Sequence, residues 1–408
     1  MKNSIAFLFV FLVNISSVLA QIYGCTDPQA NNYNPLAEIN DGSCTFGTSI
    51  LSPNVSVALP NGVSETSGLF YYDGKYWTHN DDTDAMFFAI DSLTAEVVDT
   101  VLWDCLSNID WEEAHVNGTH LIVGDIGNNL GNRTDLKFFI IPLVAFYSND
   151  INTVDTLQFA YEDQVTFAPS LNNHDFDAEA FVATTDSVFI FSKCWMSLET
   201  KRYALSLVPG VQVARLRETY DLGGLITGAS FFNQNQSVAL CGYSAFLQPF
   251  VLLLYDYDNG LYFNGNKRRV ELGLPFHQVE GIVHSHEFEF FLSNERYTGA
   301  LNVDQKWHHW NASSLFSNPA GISEEEWFTI DDPFPNPTSG YFELDVPGPN
   351  CYWRYDIFNV QGELIKRGFQ LSRKLHFDIS DQPDGMYYVH IYRRETRFVK
   401  SVLKQNGN

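Results

Sequence analysis

Methionine and long helix-favouring stretches of Ala, Leu, Glu and Lys are scarce in this chain, with 4 Met in 408 residues. That scarcity argues against a helical bundle. Positive charge is also in short supply: 24 Lys and Arg stand against 49 Asp and Glu, a formal net charge of -25. Nucleic-acid binding depends on cationic side chains that displace counterions from polyphosphate, so no nucleic-acid partner is expected. Beyond the first residues no stretch approaches the roughly 20 apolar residues a membrane helix requires, so no transmembrane segment is expected. Also missing are G-x-S-x-G, H-E-x-x-H, C-x-x-C and a phosphate-cradling glycine loop. Their absence removes several common classes of hydrolase, zinc protease, redox protein and nucleotide-binding protein.

What is abundant points to strands. Aromatics make up 15% of the chain, with 33 Phe and 20 Tyr, and favour pleated sheets. The fold class expected is all-β. At 408 residues there is material for one large domain or several smaller ones. The surplus of carboxylates suits a hard divalent cation such as calcium, which takes oxygen ligands; simple solubility is the plain alternative.

The first residues, "MKNSIAFLFVFLVNISSVLA", join Lys2 to an apolar run and a small-residue end at Val18-x-Ala20. They read as a signal peptide over 1–20, cleaved before Gln21, which places the mature chain outside the cytoplasm. All six cysteines follow it, so an oxidising compartment can pair them. Cys25 and Cys44 bracket a compact polar segment and form the suggested disulfide. Cys105, Cys194, Cys241 and Cys351 are scattered, and a free thiol is as good a reading for each.

Residues 21–46 are too polar to build a core and need that disulfide. Their ordering, "GCTDPQANNYNPLAEINDGSC", resembles a short Asp/Asn-rich repeat of secreted Bacteroidota proteins. Oxygens of Asp27, Asn32, Asn34 and Asp41 are candidate calcium ligands, with turn geometry the equal alternative.

From 50 to 317 five segments share one register: "SGLFYYDGKYWTHND" from Ser67, "EEAHVNGTHLIVGD" from Glu112, "EAFVATTDSVFIFS" from Glu179, "TGASFFNQNQSVALCG" from Thr227 and "EGIVHSHEFEFFLSN" from Glu280. Each opens on an oxygen-bearing side chain followed by a small or polar residue. The openers are 45, 67, 48 and 53 residues apart, and further strand-like runs fill each interval. These intervals are near or above the roughly 40 to 50 residues of a propeller blade. A five-bladed β-propeller is expected, six blades being the alternative, with the strand near Val55 to Leu59 completing the last blade and closing the ring. The first strand of a blade lines the channel, so Ser67, Glu112, Glu179, Thr227 and Glu280 should meet near the axis and hold calcium. Acids that merely cap strand ends in a wet channel are the alternative. Glu113 is expected beside the ligands or exposed. Asp110, Asp125, Asn128 and His277 are expected to face a bound ligand.

The motifs "TSGLFYYDGKYWTHNDD", "DWEEAHVNGTHLIVGDIGNN" and "VEGIV" resemble the calcium-activated apyrase family. That resemblance implies a five-bladed propeller with one axial calcium held by Ser and Glu side chains, although Thr227 stands where a Ser is expected. The "EG" openers also look like those of secreted phytase-like and esterase-like propellers. Two functions follow as expectations: a binding module stabilised by channel calcium, and a calcium-dependent hydrolase of phosphate or carboxylate esters. The pairs His284/His286 and His308/His309 offer no evident third zinc ligand. Arg133, in "GDIGNNLGNR", is a weaker candidate for meeting an anion.

After a linker over 318–332, residues 333–408 alternate as strands with turns at "PTSG", "VQGE" and "QPDG", a small β-sandwich. This tail, with "PNPTSG", "DIFNVQGELI", "DGMYYVHIY" and the basic "FVKSVLK", resembles the C-terminal sorting domain of the Bacteroidota type IX secretion system. The resemblance implies export by that machinery, as a secreted or outer-membrane surface-attached protein with an extracellular ligand still to be identified. The basic residues Arg393, Arg394, Arg397, Lys400 and Lys404 are candidates for recognition by the exporter, or a solvated face.

Overall fold

The computed structural model describes residues 21–233, 236–258, 260–299, 302–316, 330, 332–346, 352–371, 374–393 and 396–405. The expected signal peptide, nearly all of the linker, Cys351, Arg394 and the side chains of Arg393 and Arg397 lie outside the described residues. The chain is all-β, 53% strand against 4% helix.

Short apolar runs between turn residues fold as four-stranded antiparallel sheets, five in succession. The first comprises Thr66–Tyr72, Lys75–Asn80, Met86–Ile90 and Val97–Leu102; the second Trp111–Val116, His120–Asp125, Lys137–Pro142 and Asp155–Tyr161. The third runs Asp177–Ala183, Ser187–Lys193, Glu199–Ser206 and Gly210–Asp221, and the fourth Leu225–Phe232, Ser237–Tyr243, Pro249–Tyr255 and Asn266–Leu272. The fifth takes Val279–His286, Glu289–Asn294 and Lys306–Asn311, and its fourth strand is Val55–Ala58, from the other end of the chain. The outer strands of the second and third sheets pair in parallel, which joins them into one eight-stranded sheet. First strands pack against one another in order, and that of the fifth sheet against that of the first.

Because each sheet is covered on both faces, its strands read as nearly continuous apolar runs. In "HLIVGD" Ile122 faces the third sheet, beside Phe138 and Phe181. Leu121 and Val123 face the first, beside Phe70, Trp77 and Trp111. Similar wedges lie between the third and fourth sheets and between the fourth and fifth. A wedge of Leu69, Ile90, Val283, Phe291 and Trp307 fills the gap between the fifth sheet and the first. Complete burial of one such side chain contributes roughly 1.5–3 kcal/mol, so the sheets hold one another in a ring.

The N-terminal module is closed by a Cys25–Cys44 disulfide and a short parallel pairing of Tyr23–Gly24 with Ile39–Asn40. It docks on the outer strands of the fourth sheet. There Tyr255 donates to Asp27 Oδ2 at 2.6 Å, Lys267 to the Gly42 carbonyl at 3.1 Å and Arg268 to Gln29 at 2.8 Å. Ser49–Leu51 then adds a parallel strand to that sheet's edge. Cys105, Cys194 and Cys241 are free thiols, the last two buried. In the C-terminal segment, Tyr341–Asp345 pairs with Lys374–Asp378, and a second sheet has the order Leu364–Leu371, Tyr352–Asn359, Gly385–Arg393, Thr396–Lys404. Both sheets contribute to one apolar cluster built around Trp353, Phe342, Phe377 and Val389.

Candidate functional site

Every opener residue sits at a break in its ladder. In the second sheet Asp125 pairs with Trp111 and Gly124 with Glu113, so Glu112 is skipped. Glu179 is skipped between Ala178 and Ala180, Thr227 between Ile226 and Gly228, and Glu280 between Val279 and Gly281. Ser67 and Gly68 are passed over between Thr66 and Leu69. A bulge leaves one residue unpaired and re-aims its side chain. Five bulges at one register turn five openers out of the pleat at the same end of the ring.

Four of the openers, Ser67, Glu112, Glu179 and Glu280, line one cavity of about 230 Å³. Thr227 does not: its hydroxyl donates to the Val279 carbonyl at 2.5 Å and is fully buried. The cavity wall also contains Glu65, Asp81 and Glu295, with Asn129, Asn172, Gln278, Trp195 and Tyr243. One ammonium, that of Lys193, faces these six carboxylates. Lys193 is 4% exposed, forms a close ion pair with Glu179, and lies 4.7 Å from the Trp195 ring centre and 5.5 Å from that of Tyr243.

Burial dominates the electrostatics. It pushes the carboxyls of Glu112, Glu179 and Glu280 above the usual range, and neighbouring carboxylates add to the shift: Glu179 acts on Glu112 and Glu280, and Asp177 and Asp110 act on Glu179. Glu179 is also pulled back by Lys193, and its Oε2 is buried with no donor. Its carboxyl lies against that of Glu280, and that of Glu112 against Asp110. Two carboxyls in contact need a proton or a cation between them. Nearer the mouth, burial raises Asp81 to about 7 and Glu295 to about 8. Carboxylate oxygens from Glu65, Asp81 and Glu295 all lie within 4.8 Å of one another. Glu112, Glu179 and Glu280 form no group that tight.

Glu113 is not exposed and is outside the cavity wall. It is completely buried, and its carboxylate accepts from the Ala229 amide at 2.7 Å, the Ala114 amide at 3.0 Å and the Leu69 amide. It thus joins the first strands of three sheets. The residues that follow the other openers are Gly68, Ala180, Gly228 and Gly281. A Cβ on Gly68 would lie 2.6 Å from Glu113 Oε1, and one on Gly228 2.4 Å from the Glu280 carbonyl. The ring is narrow enough that a single carboxyl fills its centre.

Of the residues expected to face a ligand, only Asp110 adjoins the cavity, through Glu112, and burial raises it to about 6. Asp125 is buried between Arg133 at 2.8 Å and Lys137 at 2.9 Å. Asn128 is tied to Asp177, Phe176 and Arg133. Arg133 also donates to Asp135 and Gly127, so it is committed to its own loop. His277 bonds to the Pro275 carbonyl and is outside the cavity wall. His284 bonds to Ser230, and His308 to Ser56 and Asn294. In the N-terminal module Asp27, Asn32, Asn34 and Asp41 each accept a backbone amide close by, those of Gln29, Thr45, Leu36 and Ser43. Those of Asp27, Asn34 and Asp41 are turn contacts two residues on, while Asn32 ties together chain segments 13 residues apart. Lys193, Glu65, Asp81 and Glu295 were not singled out in the sequence. A signal was present, since Asp81, Lys193 and Glu295 each end the second strand of a sheet or follow it by one residue, the end nearest the openers.

Residues 333–405 match the family described as "Secretion system C-terminal sorting domain". The tail is a type IX secretion sorting domain. It implies interaction with that secretion system and export to the cell surface or the extracellular space. No helix among the described residues is long and apolar enough to cross a membrane. No curated protein matches the chain. Among solved structures it is similar to PorZ, an essential bacterial surface component of the type IX secretion system of Porphyromonas gingivalis. Identity there is 10% over 84% of this chain and 45% of that one, TM-score 0.31. The chain therefore spans under half of PorZ. It is also similar to the RRP9 WD40 repeats, at 8% identity over 64% of this chain and 98% of that one, TM-score 0.34. A third is the intramolecular trans-sialidase of Ruminococcus gnavus, at 12% identity over 62% and 59%, TM-score 0.34.

Proposed function

We propose that this chain is an exported five-bladed β-propeller, followed by a small β-sandwich sorting domain, that binds an extracellular ligand over an acidic axial cavity holding a calcium ion. Each four-stranded sheet is one blade, and the last is closed by Val55–Ala58. The ion's ligands are Glu112, Glu179 and Glu280, with the Ser67 hydroxyl beside them. Calcium takes six to eight oxygens at a flexible geometry, which suits carboxylates crowded at strand bulges. The observation that carries this reading is the buried, donorless Oε2 of Glu179 in a wall of six carboxylates and one ammonium. Trp195, Tyr243, Asn129, Asn172 and Gln278 form the surface a ligand meets.

The test is thermal unfolding of chelator-treated protein against calcium, since a native-state ligand at 100 times its Kd stabilises by about 2.7 kcal/mol. Glu179→Gln and Glu280→Gln should each remove most of that gain. An equal gain in the variants overturns the ligand set. A calcium-dependent ester hydrolase is the second reading. It is favoured by Asp81 and Glu295, whose carboxyls lie near 7 and 8 beside the proposed ion, in the range of a general acid or base. Release of phosphate from nucleotides, or of an aryl alcohol from aryl esters, that chelator abolishes and Asp81→Asn lowers a hundredfold would establish it.

A further inference from the structure

We propose that the open end of the ring, around the cavity, is a docking surface for a protein segment in which apolar residues stand next to lysine or arginine. This gives the ligand of that face a chemical class; it rests on the face binding a ligand, and not on the ion. First strands begin at this end and second strands finish at it. The connections that enter each sheet and those between its second and third strands therefore share one face.

Leu130, Val165, Leu171, Met196, Phe246 and Phe276 lie in those connections and are between 44% and 92% exposed. Single scattered apolar residues would carry no meaning. These are tied into one arc. Ser170 and Asn172 donate their amides to the Leu130 and Asn129 carbonyls, each at 2.9 Å, so the connection holding Leu171 lies on the one holding Leu130. The Trp195 amide donates to the His174 carbonyl at 3.2 Å and that of Met196 to Asp175 at 2.9 Å, which brings the next connection alongside. At the fourth sheet the Phe276 amide donates to the Leu247 carbonyl at 2.8 Å, and Gln278 to the Tyr243 hydroxyl at 3.1 Å. Leu130 follows Asn129, Leu171 precedes Asn172 and Met196 follows Trp195, and all three of those neighbours line the cavity. The arc thus borders the cavity along the second, third and fourth sheets. Contiguous exposed apolar surface rimmed by polar residues marks an interaction site.

The other part of the rim is acidic. Exposed Asp82 and Asp84 follow the second strand of the first sheet, and Glu65 and Glu295 come from the connections beside them. Over the whole face the connections hold twelve Asp and Glu against two Arg, and nine of the twelve are outside the cavity wall. That charge repels an anionic lipid surface and attracts a cationic partner. A wholly apolar segment would desolvate acids without partnering them, and a wholly basic one would leave the arc wet. The occupant that matches both parts lays apolar residues on the arc and turns a lysine or arginine to the acids. The Lys193 ammonium, 4.7 Å from the Trp195 ring centre and 5.5 Å from that of Tyr243, shows that this wall accommodates such a head group.

The experiment selects binders from a random-peptide display library on the immobilised full exported chain, in calcium and in chelator. Enriched peptides are then measured by fluorescence anisotropy against wild type, Met196→Ser/Phe246→Ser and Asp82→Asn/Asp84→Asn. All four positions are exposed, and circular dichroism and the melting transition show that each variant is folded. Leu171→Ser takes the place of the first double variant should that one not fold. Docking predicts peptides that join apolar residues to lysine or arginine, with affinity about tenfold or more lower in each variant. No enrichment over the bare support, enriched peptides without a basic residue, or equal affinity for wild type and both variants overturns it. So does binding of the chain to phosphatidylglycerol vesicles that Met196→Ser/Phe246→Ser abolishes. Stabilisation by calcium without such peptides leaves the ion standing and overturns the docking surface. Such peptides selected in chelator, on a chain that calcium does not stabilise, support the docking surface and overturn the ion.

Discussion

Glu113→Gln is the change whose cost can be worked most directly from the geometry. The carboxylate accepts three backbone amides, and its two oxygens serve different strands: Oε1 takes Ala114 at 3.0 Å and Oε2 takes Ala229 at 2.7 Å. A carboxamide has one acceptor oxygen, so whichever way it is turned an NH2 group faces an amide N–H. A hydrogen bond to a charged group contributes about 1.5–3 kcal/mol net, and a buried donor left unsatisfied costs about 1–3 kcal/mol. Against this stands the relief of not burying a carboxyl whose ionisation is already disfavoured, since burial holds Glu113 well above its ordinary value. The balance is a loss of about 2–4 kcal/mol for Gln. For Ala, which strands all three donors beside a void in the ring, it is about 4 kcal/mol or more.

Urea unfolding of the chelator-treated protein gives the measurement. The midpoint should fall with the slope unchanged, because the area exposed on unfolding is the same. Since Glu113 is outside the cavity wall, the calcium-dependent gain in stability should survive in Glu113→Gln. A Gln variant within 0.5 kcal/mol of wild type would refute the idea that this carboxyl holds three strands together. Loss of the calcium response with the fold intact would instead place Glu113 among the ion's ligands.

The other expectations are briefer. Carboxyls whose folded pKa exceeds the unfolded value stabilise the fold below the unfolded value, and that contribution is lost as pH rises through the folded one. With Asp81 raised from 3.8 to about 7 and Glu295 from 4.5 to about 8, the cation-free protein should lose stability between about pH 4 and 8. Saturating calcium should flatten that slope in thermal melts, and a slope of the opposite sign would contradict the burial argument. Lys193→Met removes the ammonium that shares Glu179 with the axial ion, so the axial calcium Kd should fall tenfold or more by calorimetry. An unchanged Kd would mean that the two do not compete. Reducing the Cys25–Cys44 bridge, with 19 residues of separation, should cost about 3 kcal/mol of loop-closure entropy, confined in hydrogen exchange to the module and the outer strands of the fourth sheet.

The wedge cores were legible because two-sided burial leaves a residue-by-residue trace. "HLIVGD" and "PFVLLLY" are apolar at successive positions, and the turns between runs mark the strand ends. The strand at Val55–Ala58 was legible as the piece needed to close the ring, and it pairs with Lys306–Asn311. What could not be read is how the outer strands of the second and third sheets join, because parallel pairing between outer strands has no local pattern. The ligand-facing group was misplaced for a related reason. Asp125 and Asn128 sit in a polar loop that suggested a channel mouth, but their charges and amides are used up within that loop by Arg133, Lys137 and Asp177.

The opener register carried more information than its oxygen atoms. A strand that alternates strictly cannot aim two consecutive side chains inward, so "EE" at Glu112-Glu113 conflicts with the pleat unless the ladder breaks there. The ladder does break, and Glu112 turns to the cavity while Glu113 enters the ring. In the other four segments the second residue is Gly or Ala. Those small residues let the first strands approach closely enough that a Cβ on Gly68 would collide with Glu113 Oε1. One long side chain and four short ones is therefore a single packing decision spread over five repeats. The pattern S-G, E-E, E-A, T-G, E-G predicts that enlarging any short member pushes against the Glu113 plug or a neighbouring backbone. Gly68→Ala should thus destabilise by about 1–3 kcal/mol, the usual cost of overpacking, and pairing it with Glu113→Ala, which empties the space that a Cβ on Gly68 would contest with Glu113 Oε1, should be non-additive. Strict additivity in a double-mutant cycle would show that the small residues answer to local backbone needs and not to the carboxyl at the centre of the ring.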